Sequence, residues 1–431
     1  MATLGIDLGL FSSVAALCRQ GTQDAVVVIP AEGLSEGTCV FPSYVGFDNQ
    51  GSLSTVGLRA KERYRNGATE FVVRHFTRLI GRPYDHVARE ISRGSRFFEE
   101  FKGRIERGPR GEVLIRIANR RYTVIQIASF LLKKIKEDAD AMAERRWAEY
   151  IDEVIISLPA GFDYAQRQDT EAAGDAACFP SMKVIEKPTA AVIARGIEED
   201  AGKIMVVDIG DETTDIIIGQ IGKTRQGLRL IMSSRMCDGE LGGLDMDYLI
   251  LEYLLEKEET EPRLRDIYPV LDDKAEKGRL MAAIKTAKIN TTQSGAGYIA
   301  TILQMGKRKK KIYVPINEDI LNEIVSPLLY GYKKDGRLKG IRPLVENVLL
   351  EVAANDPKRI QEVKKKIRHV VLIGNECRMR YVHEMLMEMF KENEDIHREL
   401  QGIDPLDPYF IDGVAKGCAL SRRYTAMNYM T

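Results

Sequence analysis

An α/β protein of two related lobes, each offering one loop to a shared cleft, is the fold this sequence predicts. Three observations predict it. The chain has 431 residues, more than one compact core accommodates. Strand-length apolar runs alternate with helix-length amphipathic ones. One pattern also occurs twice, as LGIDLGLFSSVAALCR near the start and VVDIGDETTDIIIGQI in the middle. Each copy reads apolar strand, Asp, apolar residue, Gly, two variable residues, two hydroxyl residues, apolar strand. Asp7 thus corresponds to Asp208, Gly9 to Gly210, Ser12 to Thr213 and Ser13 to Thr214. Duplicated hairpins about 200 residues apart suggest duplicated lobes, although Asp-x-Gly also occurs at ordinary turns.

Such a hairpin presents a metal-holding carboxylate, a glycine turn and hydroxyls to a phosphate. The tip of the second copy carries Asp211 and Glu212, which a phosphate repels. The same aspartates also suit plain turns that cap strands, with no metal involved. Residue types alone leave both readings open.

The remaining elements follow in order. Residues 122 to 146 have apolar positions at helical spacing with charges opposite. EYIDEVIISLPAGF (149–162) is a buried strand ending at Pro159, and YAQRQDTEAAGDAA (164–177) is a helix with small residues on one face. MKVIEKPTAAVIARGI (182–197) gives a strand, a turn at Pro188 and an Ala-rich helix. HVVLIGNECRMRYVHEMLMEMF (369–390) is strand, glycine turn and amphipathic helix, and PYFIDGVAKGCALSRRY (408–424) is a closely packing terminal helix. Segments 42–121 and 241–324 are less regular and read as insertions; YGYKKDGRLKG (330–340) reads as an exposed loop. The first lobe is expected at 1–196, with core 1–41 and 122–196, inserted subdomain 42–121 and returning helix 408–424. The second is expected at 197–407, with core 203–240 and 325–404 and inserted subdomain 241–324.

Composition excludes several classes. Hydrophobic content of 44% with 29% charged residues is that of a soluble globular protein. Sixty-three basic residues balance sixty-three acidic ones, so no global field favours nucleic acid or membrane. A basic hairpin tip at Lys307, Arg308, Lys309, Lys310 and Lys311 lacks interleaved aromatics along the run and reads as a solvated tip rather than a nucleic-acid contact. No apolar run reaches the roughly 20 residues of a membrane helix, and the start has no signal-peptide pattern. Six scattered cysteines without C-x-x-C read as reduced thiols of a cytoplasmic protein.

The order GIDLG, RLIGRPYD, VIISLPAGFDYAQRQDTEAAGDAA, VIEKPTAAVIARG, VVDIGDETTDIIIG, DGELGGLDMDYLI, VVLIGNECRMRYV and DGVAKGCALS resembles the nucleotide-binding domain of the seventy-kilodalton heat-shock proteins, the DnaK-type chaperones. The resemblance runs from about residue 4 to 424 and implies two duplicated actin-like (ribonuclease H-like) lobes, each with a smaller inserted subdomain, around a central nucleotide cleft. It implies ATP or ADP with Mg²⁺ as cofactors. By this resemblance Asp7, Gly9, Ser12 and Ser13 form the first phosphate loop, and Asp208, Gly210, Asp211, Thr213, Thr214 and Asp215 the second. Asp7 and Asp208 hold metal-bound or attacking water, with Asp208, Asp7 and Thr213 as the catalytic group. Gly374, Asn375 and Arg378 line the adenosine side, and Lys285 and Lys288 lie near the nucleoside. Mg²⁺ with few carboxylates, several waters and the phosphates is chemically apt for such a loop pair.

The sequence departs from that family pattern around one cleft. Leu10-Phe11-Ser12 replaces the family's threonines, and Thr77 stands in place of the catalytic lysine. Lys187 stands for a glutamate, while Asp211 and Glu212 replace glycines. Lys285 replaces a glutamate, Ile289 a stacking arginine, Asn375 and Glu376 a glycine and a serine, and Ile411 an aspartate. Losing the lysine removes a cation that stabilises the transferring phosphoryl group. A carboxylate about 5 Å from a phosphate costs on the order of 1–4 kcal/mol. The expectation is a stand-alone, DnaK-type protein that binds ATP or ADP with Mg²⁺. It hydrolyses slowly or not at all, and signals by lobe closure to an unidentified protein partner. No peptide-binding domain is expected in this chain, which stops at Thr431. A pseudo-ATPase scaffold acting only through protein contacts is the alternative, and a small-molecule phosphotransferase a further one.

Overall fold

The computed structural model describes residues 1–33, 39–95, 98–197, 201–224, 227–258, 264, 267–334 and 337–426. The chain divides into two compact units. One comprises Met1–Ile197, Thr224–Leu228 and Asp412–Thr431, and the other Glu198–Lys223 and Arg229–Ile411. Both are α/β, and their sheets repeat one arrangement, the two duplicated actin-like lobes of the expected fold class.

In the first unit the sheet runs Met182–Glu186, Ile151–Leu158, Ala2–Asp7, Ser12–Arg19, Ala25–Val27, with Val40–Pro42 also pairing Ser12–Arg19. Alternating Val, Ile and Leu make these strands apolar on both faces, as a sheet covered by helices requires. Ala2–Asp7 is antiparallel to Ser12–Arg19 and parallel to Ile151–Leu158, which sets Asp7 opposite Val14 on one side and Ser157 on the other. Helices Val124–Trp147 and Tyr164–Ala176 each begin with a capping box, Thr123 with Gln126 and Asp163 with Gln166, which satisfies otherwise orphaned N–H groups. Ile127, Leu131, Ile135 and Ala139 form the buried stripe of the longer helix.

The second unit has a four-stranded sheet in the order Gly227–Asp238, Thr214–Thr224, Lys203–Ile209, Ile367–Ile373. Lys203–Ile209 is antiparallel to Thr214–Thr224 and parallel to Ile367–Ile373, which sets Asp208 opposite Asp215 and Ile373. The internal repeat of the sequence is thus a repeat of topology and register.

Several local expectations need correction. Pro188 is not a turn; it lies in the first turn of helix Lys187–Ala194, where its missing N–H costs nothing. The basic run is not all tip. The hairpin turns at Gly306-Lys307, while Arg308 to Lys311 belong to the strand Arg308–Asn317. Segment 330–340 contributes two short paired strands, Tyr332–Lys334 and Arg337–Lys339, rather than loop alone. The stretch read as irregular holds helices Gly243–Glu256 and Lys274–Ser294. The second escapes a hydrophobicity scan because Lys288 and Thr291 share burial with Leu280, Ile284 and Ala287. Among the described residues no helix is long and apolar enough to cross a membrane.

Small residues set the close packing of the first unit. From Asp412 the helix Tyr409–Ala426 belongs to this unit. A Cβ on Gly417 would stand 1.8 Å from the Ala190 carbonyl oxygen, and one on Gly5 would stand 2.2 Å from that of Ala415. Both obstacles are backbone and cannot rotate away. Gly417→Ala should therefore destabilise the first unit by about 1–3 kcal/mol, as overpacking does; thermal unfolding checks it, and an unchanged melting temperature would contradict the packing described.

Candidate phosphate-loop site

In the first unit, the loop between Asp7 and Ser12 is closed by hydroxyls. The Gly9 N–H donates to Ser13 Oγ (3.3 Å), the Ser43 hydroxyl donates to the Gly9 carbonyl (2.8 Å), and the two hydroxyls lie 3.2 Å apart. Ser13 is fully buried, so it braces the loop from within, while Ser12 is half-buried. The Asp7 Oδ1 atom accepts a hydrogen bond from Ser157 (2.7 Å) and lies 3.4 Å from Lys187 Nζ. Ser157 and Ser43 carried no motif; the parallel register that sets Ser157 beside Asp7 is the signal that would have found it.

Beyond the loop, Phe11 packs edge-on against His75 at 4.4 Å. His75 has φ 54°, and its Nδ1 lies 2.9 Å from Glu100, which Arg74 also pairs at 2.8 Å. Burial pushes the Glu100 carboxyl up, but His75 and Arg74 outweigh it and hold the carboxyl at about 2. Thr77 lies in the turn Phe76–Leu79, two residues from His75, and is half-buried.

The loop of the second unit rests on its neighbours through backbone. The Gly210 N–H donates to the Thr213 carbonyl (2.9 Å). The carbonyls of Gly210 and Asp211 accept from Gly243 (3.0 Å) and Leu244 (2.6 Å) in the first turn of helix Gly243–Glu256. Thr213 is exposed. Thr214 is buried and donates to the Leu241 carbonyl (2.8 Å), and Asp215 is paired with Arg235. Gly374, at φ 88°, brings its backbone so near that a Cβ would sit 2.3 Å from the Ile209 carbonyl oxygen and 3.0 Å from Asp208 Oδ1. Only glycine fits that combination of positive φ and close approach.

The two acids at this tip are not left facing solvent. Asp211 forms an ion pair with Lys285, and Glu212 is buried with its backbone against Gly242. One turn along the same helix, Lys288 lies 2.8 Å from Asp247 and donates to Glu376 at 3.1 Å and to the Gly243 carbonyl at 2.7 Å. All three side chains are buried. Burial works to lower the Lys288 ammonium, but Asp247 and Glu376 prevail and raise it. Lys285 is raised in the same way by Asp211. The Glu376 carboxyl is raised by its own burial, against the pull of Lys288. The lysine at 285 and the aspartate at 211 are thus partners, as are Lys288 and Glu376. Asp247 gave no sequence sign of its role. Arg378 is buried, donates to the Asp407 carbonyl (3.3 Å) and lies 6.0 Å from the Phe410 ring. Lys288, Ile289, Thr292, Gln293, Asn375, Glu376 and Arg378 line a hollow of about 10 Å³, the space of one water.

Two mixed sheets, each with an aspartate at or next to the end of the first strand of an Asp-x-Gly hairpin, place the chain in the actin-like α/β class. Within that class, the sequence profile of the Hsp70 protein family matches residues 3–421, and the chain belongs to this family. It is similar to the chaperone protein DnaK of Thermoplasma volcanium, 30% identical over 373 residues that cover 84% of this chain and 53% of that protein. It is similar to that of Thermoplasma acidophilum, at 28% over 425 residues, 97% of this chain and 58% of that one. DnaK of Methanothermobacter thermautotrophicus is also 28% identical over 425 residues, covering 97% and 60%. The chain therefore spans a little over half the length of these relatives.

The Mg²⁺ of the family pattern fits one loop better than the other. Asp208, one residue before the end of its strand, is half-buried with the Gly374 backbone close by, which suits a metal-bound water. Asp7 already faces the Lys187 ammonium, and a divalent ion held through water about 5 Å from it would be repelled by about 2–7 kcal/mol. The residues at Asp7 do not fit the metal. Among the described residues no cluster of three His, Cys, Asp or Glu side chains has a metal-holding arrangement.

Two outcomes follow. Lys288→Met leaves two acids buried beside no cation and should destabilise the second unit by about 3–5 kcal/mol, whereas Lys285→Met, at the half-buried pair, should cost about 1 kcal/mol or less; chemical denaturation distinguishes them. The Glu100 carboxyl lies below its ordinary value of 4.5, so its contribution is full above pH 4.5 and lost as pH falls towards 2. Wild type should lose about 3 kcal/mol across that window through this group. Glu100→Gln should be less stable at neutral pH and lose correspondingly less on acidification, in denaturation curves against pH.

Proposed function

We propose that this protein is a DnaK-type nucleotide-binding protein of the cytoplasm. It closes its lobes on ATP or ADP, hydrolyses slowly or not at all, and passes the bound state to a protein partner. The observation that carries this reading is the pairing of Asp211 with Lys285. It neutralises the acid that would otherwise repel a phosphate, while the glycine backbones of both loops are retained. Weak hydrolysis is supported by Thr77, which offers no charge where the family pattern has its lysine. A scaffold that binds no nucleotide is the second reading, favoured by the buried pairing of Lys288 with Glu376 at 3.1 Å, which engages both side chains with each other on the side where the family pattern has its nucleoside.

Nucleotide at one hundred times its dissociation constant should add about 2.7 kcal/mol of stability. A melting temperature that does not move at millimolar ATP or ADP, with and without Mg²⁺, would sink the first reading in favour of the scaffold. If stability rises, single-turnover hydrolysis in wild type and Asp208→Ala decides the chemistry. A slow wild-type rate abolished in the variant assigns Asp208 its role, and equal rates remove it.

A further inference from the structure

We propose that the hairpin of strands Ala296–Met305 and Arg308–Asn317 in the second unit carries a platform for single-stranded nucleic acid on its outer face. Tyr298 and Tyr313 stack bases there, and Lys309 and Lys311 contact phosphates. This surface goes beyond the nucleotide-binding reading above and does not depend on it.

Along the chain, the run Lys307 to Lys311 has no aromatic within it, and on that pattern it reads as solvated. Across the hairpin it does not stand alone. Alternate residues of a strand share a face, and the antiparallel register sets Lys309 opposite Gln304, Lys311 opposite Ile302 and Tyr313 opposite Ala300. Both lysines and Tyr313 therefore share one face with Ile302 and with Tyr298, the diagonal neighbour of Tyr313. The two tyrosine rings stack with centroids 5.0 Å apart and 19° between their planes. Tyr298 is 49% exposed and Tyr313 41%.

The inner face is committed to the core. Ile299, Leu303, Ile312 and Ile316 are buried, and this side is fastened to helix Lys274–Ser294. The Thr291 hydroxyl donates to the Ile316 carbonyl (3.1 Å), and the Gln304 N–H donates to Glu276 (2.8 Å). A Cβ on Gly297 would stand 2.3 Å from the Ala287 carbonyl oxygen. The hairpin is thus anchored from behind, and its tyrosines and lysines are presented to solvent.

Charge and rings together select the ligand. Residues 296–317 include no Asp or Glu. Among the described residues, none of Lys307, Arg308, Lys309, Lys310 and Lys311 makes an ion pair. Glu276 is buried and paired with Arg279 at 2.8 Å, so it does not offset them. Cations without countercharges attract a polyanion and release its counterions. That charge alone would suit an acidic protein segment as well. The tyrosines favour bases, because each ring keeps one face turned away from the other, and every base has a π-face to lay on it. Aromatic rings beside cations on a sheet face hold splayed bases of a single strand. A duplex keeps its bases stacked on one another and leaves those rings unused.

The test is fluorescence anisotropy of a labelled oligouridylate of about 20 nucleotides, titrated with the intact protein between about 50 and 200 mM salt. Wild type should bind, and more weakly as salt rises. A double variant, Lys309→Ala with Lys311→Ala, should bind about tenfold more weakly. Its slope of log affinity against log salt should be shallower by about 1.4, the share of two phosphates. Tyr298→Ala and Tyr313→Ala should each weaken binding at least about fivefold and leave that slope unchanged. Tyr313→Phe, which keeps the ring, should bind as wild type does, and thermal melts confirm that every variant folds. Absence of binding by wild type overturns the inference, as does undiminished binding by the folded tyrosine-to-alanine variants. Equally tight binding of the matching duplex also overturns it. If polyglutamate binds wild type as tightly as the oligonucleotide, the face takes an acidic protein segment instead, and the inference falls.

Discussion

The aspartate-bearing strand of each unit has an antiparallel neighbour on one side and a parallel neighbour on the other, and the rest of the site depends on that constraint. The antiparallel neighbour follows after a tight turn, so the carboxylate and the hydroxyl residues come to one edge of the sheet. The parallel neighbour arrives by a crossover and must end at that same edge. Whatever follows it in sequence is delivered beside the aspartate. In the first unit that is Ser157, opposite Asp7 in the register. In the second it is Ile373 and then Gly374, whose backbone approaches Asp208 closely. The same topology thus supplies a hydrogen-bond donor in one unit and a bare backbone in the other.

That frame was legible in the sequence because it is written locally. The β-branched runs of IMVVDI and DEVIISL, the Asp-x-Gly turns and the capping residues before helices each act over a few positions. Helix Lys274–Ser294 was not legible, since part of its buried face is polar and breaks the apolar period. Lys285 and Lys288, three positions apart, are placed near the nucleoside by the resemblance alone. Their acids lie 74 and 88 positions away, at Asp211 and Glu376, and no local pattern announces a pairing across such a separation. The departures from the family pattern group around one cleft in the sequence, but that Asp211 and Lys285 pair with each other is visible only where the loop and the helix meet.

The charges do different work in the two units. Lys288 is almost wholly enclosed, shares its ammonium with Asp247, Glu376 and the Gly243 carbonyl, and cannot be exchanged alone without stranding a buried charge. Gly243 is part of that arrangement, because a Cβ there would stand 2.1 Å from Glu376 Oε1. These residues fill the interior of the second unit, and their gain is in fixing helix Lys274–Ser294 against the loop at Gly374. Lys187 belongs to a different regime. Its pair with Asp7 is longer and more open to solvent, so its desolvation is less complete. A buried network resists ligand exchange because each charge already has its countercharge at close range. The physical asymmetry thus sets an enclosed, short-range network at Lys288 against a longer and more open pair at Lys187 and Asp7.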